Sequence, residues 1–203
     1  MPASIRANQR GRTRRDLLEA ALRVSADNGA PTLEAIAEEA RVSRATAYRY
    51  FPNVDDLLAE AALHMAFPGV ECLSGASDDP LERLLLVDDA VDRMIAANET
   101  ALRRMIASTA KLPLQSTGVP ARQNRRLPLI EAALEPARSK FSAPSYRQLT
   151  RALSLVIGTE AMLVLKDVLA LDGAEAREVR RQAIASLLEA ALRDGSVRAG
   201  PPA

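Results

Sequence analysis

Proline and glycine leave long open windows in this chain, and apolar residues fill them at spacings of three and four, which commits the chain to helices. The clearest window is the last. There Val179, Ala183, Ile184, Leu187, Leu188, Ala191 and Leu192 fall on one face, with Arg177, Arg181, Glu189 and Arg193 on the other. No alternating Val/Ile/Thr run is bounded by turn pairs, so nothing reads as strand. The expected fold class is all-α.

The punctuation predicts helices over about 12–28, 33–40, 44–51, 54–67, 80–97, 99–111, 122–139, 145–171 and 174–193. Gly29 is placed to end the first, and Thr32, Ser43 and Asn53 to cap the next three. Pro128 must begin or kink the helix over 122–139, and a loop is expected over 112–121. A small, polar stretch at 70–79 separates a region of short helices from one of longer helices. The domain division is drawn at residues 1–55 and 56–203.

Composition narrows the function classes. At 203 residues the chain buries enough surface to fold without a staple. A single cysteine, Cys72, and a single histidine, His64, exclude a disulfide and leave no plausible zinc cluster, so no metal and no cofactor is expected. The first fifteen residues lack the apolar middle of a secretory signal. The most apolar run, Ala152 to Leu171, is broken by Glu160, Lys166 and Asp167 and reads as a buried helix, not a membrane span. The expected address is a reducing cytoplasm.

Two short helices joined by a three-residue turn form a helix-turn-helix pattern. Leu33, Ile36, Ala37 and Ala40 make the inner face of the first, Val42 plugs the turn, and Ala47 and Phe51 face inward from the second. The outer face of the second carries Arg44, Thr46, Arg49 and Tyr50, with Tyr48 beside them. Arginine forks onto guanine, threonine meets a thymine methyl or a phosphate, and tyrosine hydroxyls meet phosphates. Lys+Arg 27 against Asp+Glu 26 excludes a globally basic binder. The balance hides two basic zones without acids, one at residues 1–15 with Arg6, Arg10, Arg12, Arg14 and Arg15, and one at 41–51 with Arg41, Arg44 and Arg49.

The segment IAEEARVSRATAYRYFPNVDDLL, Ile36 to Leu58, resembles the DNA-binding domain of the TetR family of bacterial transcription regulators. LLEAALRVSADNGA before it is similar to that family's first helix. The resemblance implies a phosphate contact for Thr32, base-facing positions for Arg44, Ala45 and Thr46, a phosphate contact for Tyr48, and backbone or base contacts for Arg49 and Tyr50. Ser43 joins this set at the helix start, and the arm adds Arg12, Arg14 and Arg15. Four departures stand out. Arg41 replaces the usual turn glycine, costing backbone freedom while offering a phosphate contact. Ala47 replaces a large aliphatic residue, Val54 a phosphate-gripping lysine, and Ser25 an aromatic.

For the remainder, the resemblance implies an effector pocket among the middle helices and a homodimer interface from the last two. Met94, Leu102, Met105, Ile106, Leu134, Tyr146 and Glu160 are the pocket candidates. Each of the first six also reads as plain core. Glu160 pairs with an arginine, crosses the interface or binds a cationic effector. Gly158 and Ala161 suggest a close helix–helix approach. His64 reads as an ordinary histidine or a pH-sensing hinge, and Cys72 as a plain thiol or a redox sensor. The paired acids Asp55-Asp56, Asp78-Asp79 and Asp88-Asp89 read as solvated helix starts or faces, and no catalytic motif is present.

The expected function is a ligand-responsive dimeric repressor, not an enzyme, on an inverted-repeat operator of double-stranded DNA, released by a small-molecule effector. The alternatives are a co-effector-dependent regulator and a helical interaction module without DNA binding. The effector, the operator and the sign of regulation are not written in the sequence.

Overall fold

A computed structural model describes residues 2–26, 31–110 and 124–198, and these residues form helices without a strand. The helix-ending role of Gly29 and the loop over 112–121 fall outside the described residues. The chain divides into two compact units, residues 1–67 with 98–123 and residues 68–97 with 124–203.

The first unit holds α1 (Pro2–Ala26), α2 (Leu33–Glu39), α3 (Arg44–Tyr50), α4 (Val54–Ala66) and α6 (Glu99–Ala110). Local caps set the starts of three of them. Thr32 accepts from the Ala35 amide, Ser43 from that of Thr46 and Asn53 from that of Asp56. One core joins the elements. Leu17, Leu18, Ala21, Leu33, Ile36, Ala37, Ala47, Phe51, Leu57 and Ala61 are all buried together, with Val42 and Val54 packed against them. Val54, which stands where the resemblance implies a phosphate-gripping lysine, packs as an apolar residue. Residues 2–11, read as an arm, continue α1, with Pro2 at its first position, where a missing amide hydrogen costs nothing. The 55/56 division therefore cuts inside this unit, because α4 packs on α1.

The second unit holds a 3-10 turn at Val70–Leu73, α5 (Pro80–Ala97), α7 (Arg126–Leu134), a 3-10 segment at Glu135–Lys140, α8 (Ala143–Val156), α9 (Thr159–Leu163), a π turn at Val164–Val168, and α10 (Gly173–Arg198). Pro128 falls in the first turn of α7, where proline is tolerated. The single helix expected over 145–171 is two. Gly158, at φ 143°, breaks it in a conformation that side chains rarely adopt. The Arg126 guanidinium fills the space a Cβ would need there. The glycine therefore admits an arginine, not a neighbouring helix. The buried stripe of α10 is also narrower than expected. It runs through Ala176, Arg180, Ile184 and Leu188, while Val179 is exposed.

No single helix among the described residues is long and apolar enough to cross a membrane. The pair 143–156 and 159–168 passes only together and is bent by 44°.

Candidate nucleic-acid interface

The turn between α2 and α3 fixes the geometry of the site. Arg41 takes φ 55°, and the Val42 amide donates to the Ala37 carbonyl at 2.9 Å. Ser43 then caps α3, and its hydroxyl donates to Thr46 Oγ1 at 2.9 Å. With Ala47 and Phe51 buried, α3 has one face in the core and turns the other outward. Arg41, Ser43, Arg44, Ala45, Tyr48 and Arg49 are exposed, and Thr46 and Tyr50 are half-buried. Arg49 lies 5.6 Å over the Tyr50 ring, which orients a guanidinium on this face. Thr32 is exposed at the start of α2, and Arg12 and Arg15 are exposed on α1.

Two predicted contacts are already engaged within the protein. Tyr48 donates its hydroxyl to Glu34 Oε1 at 2.9 Å. That bond holds the Glu34 carboxyl below its usual value, with its own backbone amide and Arg44 pulling the same way. The same carboxylate raises Tyr48, so the hydroxyl stays a protonated donor. Arg14 departs further from expectation. Its Nε donates to Glu60 Oε1 at 2.8 Å, and its Nη2 meets Glu60 Oε2. Its guanidinium carbon lies 4.4 Å over the Phe51 ring. Arg14 is an internal ion-pair partner in this structure and not an outward arm residue.

Sequence reasoning had passed over Glu34 and Glu60. Glu60 left one signal, a carboxylate beside Ala61 and three positions after Leu57, on the side of α4 that is buried. Glu34 left none, since an acid in a helix's first turn is ordinary.

The effector candidates divide between the units. Leu102, Met105 and Ile106 lie on α6 in the first, and Met94, Leu134, Tyr146 and Glu160 lie in the second. Leu134 is fully buried core. Tyr146 lies under Arg138, 4.1 Å from ring centroid to guanidinium carbon. Glu160 pairs with Arg126 at 2.7 Å, and its side chain is 46% exposed, so it is not a charge inside an apolar helix. Asp88 corrects the reading of the paired acids. It is buried, and Arg180 Nε reaches both its oxygens at 3.1 and 3.0 Å. Cys72 is half-buried, and burial together with Glu71 pushes its thiol up, the opposite of a reactive thiolate. His64 is half-buried in the last turn of α4. Among the described residues no group of acids, histidine and cysteine is placed to hold a metal.

A short capped helix, pinned by its inner face and turning arginines, threonine and tyrosine outward, defines a helix-turn-helix DNA-binding domain. Residues 17–61 match the family described as "Bacterial regulatory proteins, tetR family". By this match residues 17–61 are similar to the DNA-binding domain of the TetR family of transcription regulators. It is 39% identical over 88 residues to the HTH-type transcriptional repressor LfrR of Mycolicibacterium smegmatis. That match covers 40% of this chain and 47% of the relative, so the chain spans about half the length of the curated relative it matches. A TetR transcriptional regulator from Rhodococcus sp. RHA1 has a similar structure, with TM-score 0.48 and 20% identity over 88% of this chain and 97% of that one.

Proposed function

We propose that the protein is a dimeric repressor that reads an inverted-repeat operator through α3 and is released by a small-molecule effector bound in its helical second region. The observation that carries this is the outer face of α3, where Arg44, Ala45, Tyr48 and Arg49 are exposed around a buried Ala47. Arg44 and Thr46 read base edges. Thr32, Ser43, Tyr48, Tyr50, Arg41, Arg49, Arg12 and Arg15 meet phosphates, and those contacts set register without carrying sequence information.

Repression is the activity named for LfrR. Dimerisation draws support from the second unit, which leaves Leu155, Val164, Val168, Leu169 and Val179 exposed. An inverted repeat read by such a dimer needs its two α3 helices one helical turn of DNA apart, about 34–36 Å. An effector favouring another separation releases the operator, which needs only a few kcal/mol of differential affinity.

The test is selection of random-sequence duplexes by the purified protein at about 150 mM salt, a physiological strength. An enriched inverted repeat, lost from the Arg44→Ala protein while non-specific binding remains, is the expected outcome. An unchanged sequence preference in that variant would remove α3 as the reader.

A further inference from the structure

The recognition helix is short, and its N-terminal end is fixed by the Ser43 cap. Its C-terminal end is held differently. Tyr50 is the last helical residue and Phe51 the cap, and the carbonyl of Tyr50 faces α1. Arg14 of α1 sits at that point. Its Nη1 lies 3.5 Å from the Tyr50 carbonyl oxygen, its plane covers the Phe51 ring, and its fork closes on both oxygens of Glu60 in α4. The pair is withdrawn from water, with side chains 13% and 6% exposed. One arginine thereby joins three helices at the end of the reader that has no side-chain cap.

This arrangement is specific to arginine. A guanidinium is planar, stacks on an aromatic face and forks onto a carboxylate at once, whereas an ammonium does not. It also brings a positive charge to a helix C-terminus, where the carbonyls favour one. Reading base edges requires the helix to hold its position to within about half an ångström and its angle to within about 10–20°. We propose that Arg14 and Glu60 are a positioning pair that sets the angle of α3 and hence its sequence discrimination, and that Arg14 is not a phosphate ligand. The proposal rests on the reading of α3 as a DNA reader.

The two roles of an arginine near DNA separate experimentally. A phosphate ligand strengthens binding to every sequence and adds about one to the salt slope, while a positioning residue changes only the preference among sequences. The experiment takes a duplex selected by the wild-type protein from a random pool, and a scrambled duplex of equal composition. Affinity for both is measured across salt for wild type, Arg14→Lys, Arg14→Gln, Glu60→Gln, the swap Arg14→Glu with Glu60→Arg, and Arg12→Gln as the phosphate comparison.

Arg14→Gln and Glu60→Gln should each lose about tenfold or more on the selected duplex, with less than a twofold change on the scrambled one and an unchanged salt slope. Arg14→Lys should fold and lose several-fold, because it keeps the charge without the fork. The swap should regain part of the discrimination. Arg12→Gln should weaken both duplexes alike and lower the slope. The proposal is overturned if folded Arg14→Gln or Arg14→Lys discriminates as the wild type does. It is equally overturned if Arg14→Gln behaves like Arg12→Gln. If the glutamine variants do not fold, Arg14→Lys and the swap carry the test, and a folded swap without discrimination decides against it. A wild-type protein that enriches no sequence overturns the DNA-reading function itself, a result distinct from all of these.

Discussion

Arg41 occupies the left-handed region at φ 55°, which an L side chain enters at a cost of about 1–2 kcal/mol. Glycine would relieve that strain but return about 0.5–1 kcal/mol through a freer unfolded chain. Arg41→Gly should therefore stabilise the protein only slightly, by about 0.5 kcal/mol, a rise of about one or two degrees in Tm. Its DNA affinity should fall on every sequence, with a salt slope about one smaller, because an exposed cation beside α3 is gone. Thermal unfolding and a salt titration check the two halves. A variant that is less stable, or one whose slope is unchanged, would show that the arginine is kept for another reason. Glu34 makes the complementary case. Its carboxylate holds the hydroxyl that a phosphate would take and adds a negative charge beside it. Glu34→Gln should tighten binding several-fold to specific and scrambled duplexes alike. Because Glu34's carboxyl lies below its usual value, the folded protein favours the ionised form, and the effect is lost only as pH falls through that lowered value. The ratio of variant to wild-type affinity should hold level from pH 8 to pH 5. A ratio that collapses within that range would mean that another group is titrating.

At the scale of elements, what the sequence made legible follows from how local each cause is. The starts of α2, α3 and α4 were legible because each cap lies within three residues of the amide it satisfies. The inner and outer faces of the helix-turn-helix were legible from periodicity. The break in the helix over 145–171 was not, because a glycine in an apolar run costs a helix only about 1 kcal/mol and is often tolerated. What decides it is Arg126, 28 residues away from Ser154, whose guanidinium donates to the Ser154 and Ile157 carbonyls at 2.8 and 3.2 Å. The internal role of Arg14 was hidden for the same reason, since its partner lies 46 residues away. Asp88 and Arg180 are the strongest case, 92 residues apart. Burial raises the Asp88 carboxyl above its usual 3.8, and Arg180 lowers it without cancelling the effect. Arg180 also reaches Asp92 at 3.0 Å. Arg180→Met should cost about 3–5 kcal/mol, since it strands a buried carboxylate, and adding Asp88→Asn should recover most of that. The pH sign follows from the raised value. The folded state holds this proton more tightly than the unfolded chain, so stability rises as pH falls through the folded value of Asp88 and declines as pH climbs back through it. Wild type should therefore gain on Asp88→Asn upon acidification toward pH 4. Urea unfolding of both proteins at several pH values measures this, and a gap that narrows on acidification would reverse the assignment.

At the scale of the whole molecule, reading an inverted repeat requires two copies of α3, so assembly and recognition stand or fall together. Leu155 at 75% and Val168 at 73% exposure lie in the second unit and contribute little to the core of a single chain. Replacing both with glutamate should leave a single chain's stability within about 1 kcal/mol, the usual range for two surface substitutions. In a two-fold dimer built on this face, each new charge would meet an apolar partner or its own copy, and the dimer should dissociate. Sedimentation equilibrium at micromolar protein should then give twice the 21.8 kDa chain mass for wild type and the single mass for the double variant. In such a dimer the two half-sites would be bound by linked readers, so the linkage would multiply affinity by the effective concentration of the second reader, and on the order of a hundredfold would be lost with it. The variant should therefore lose about that factor on the inverted repeat while binding an isolated half-site as the wild-type protein does. A variant that stays dimeric would move the interface away from Leu155 and Val168. A monomeric variant that still binds the inverted repeat at full affinity would show that each chain reads alone, and the operator would then need no symmetry.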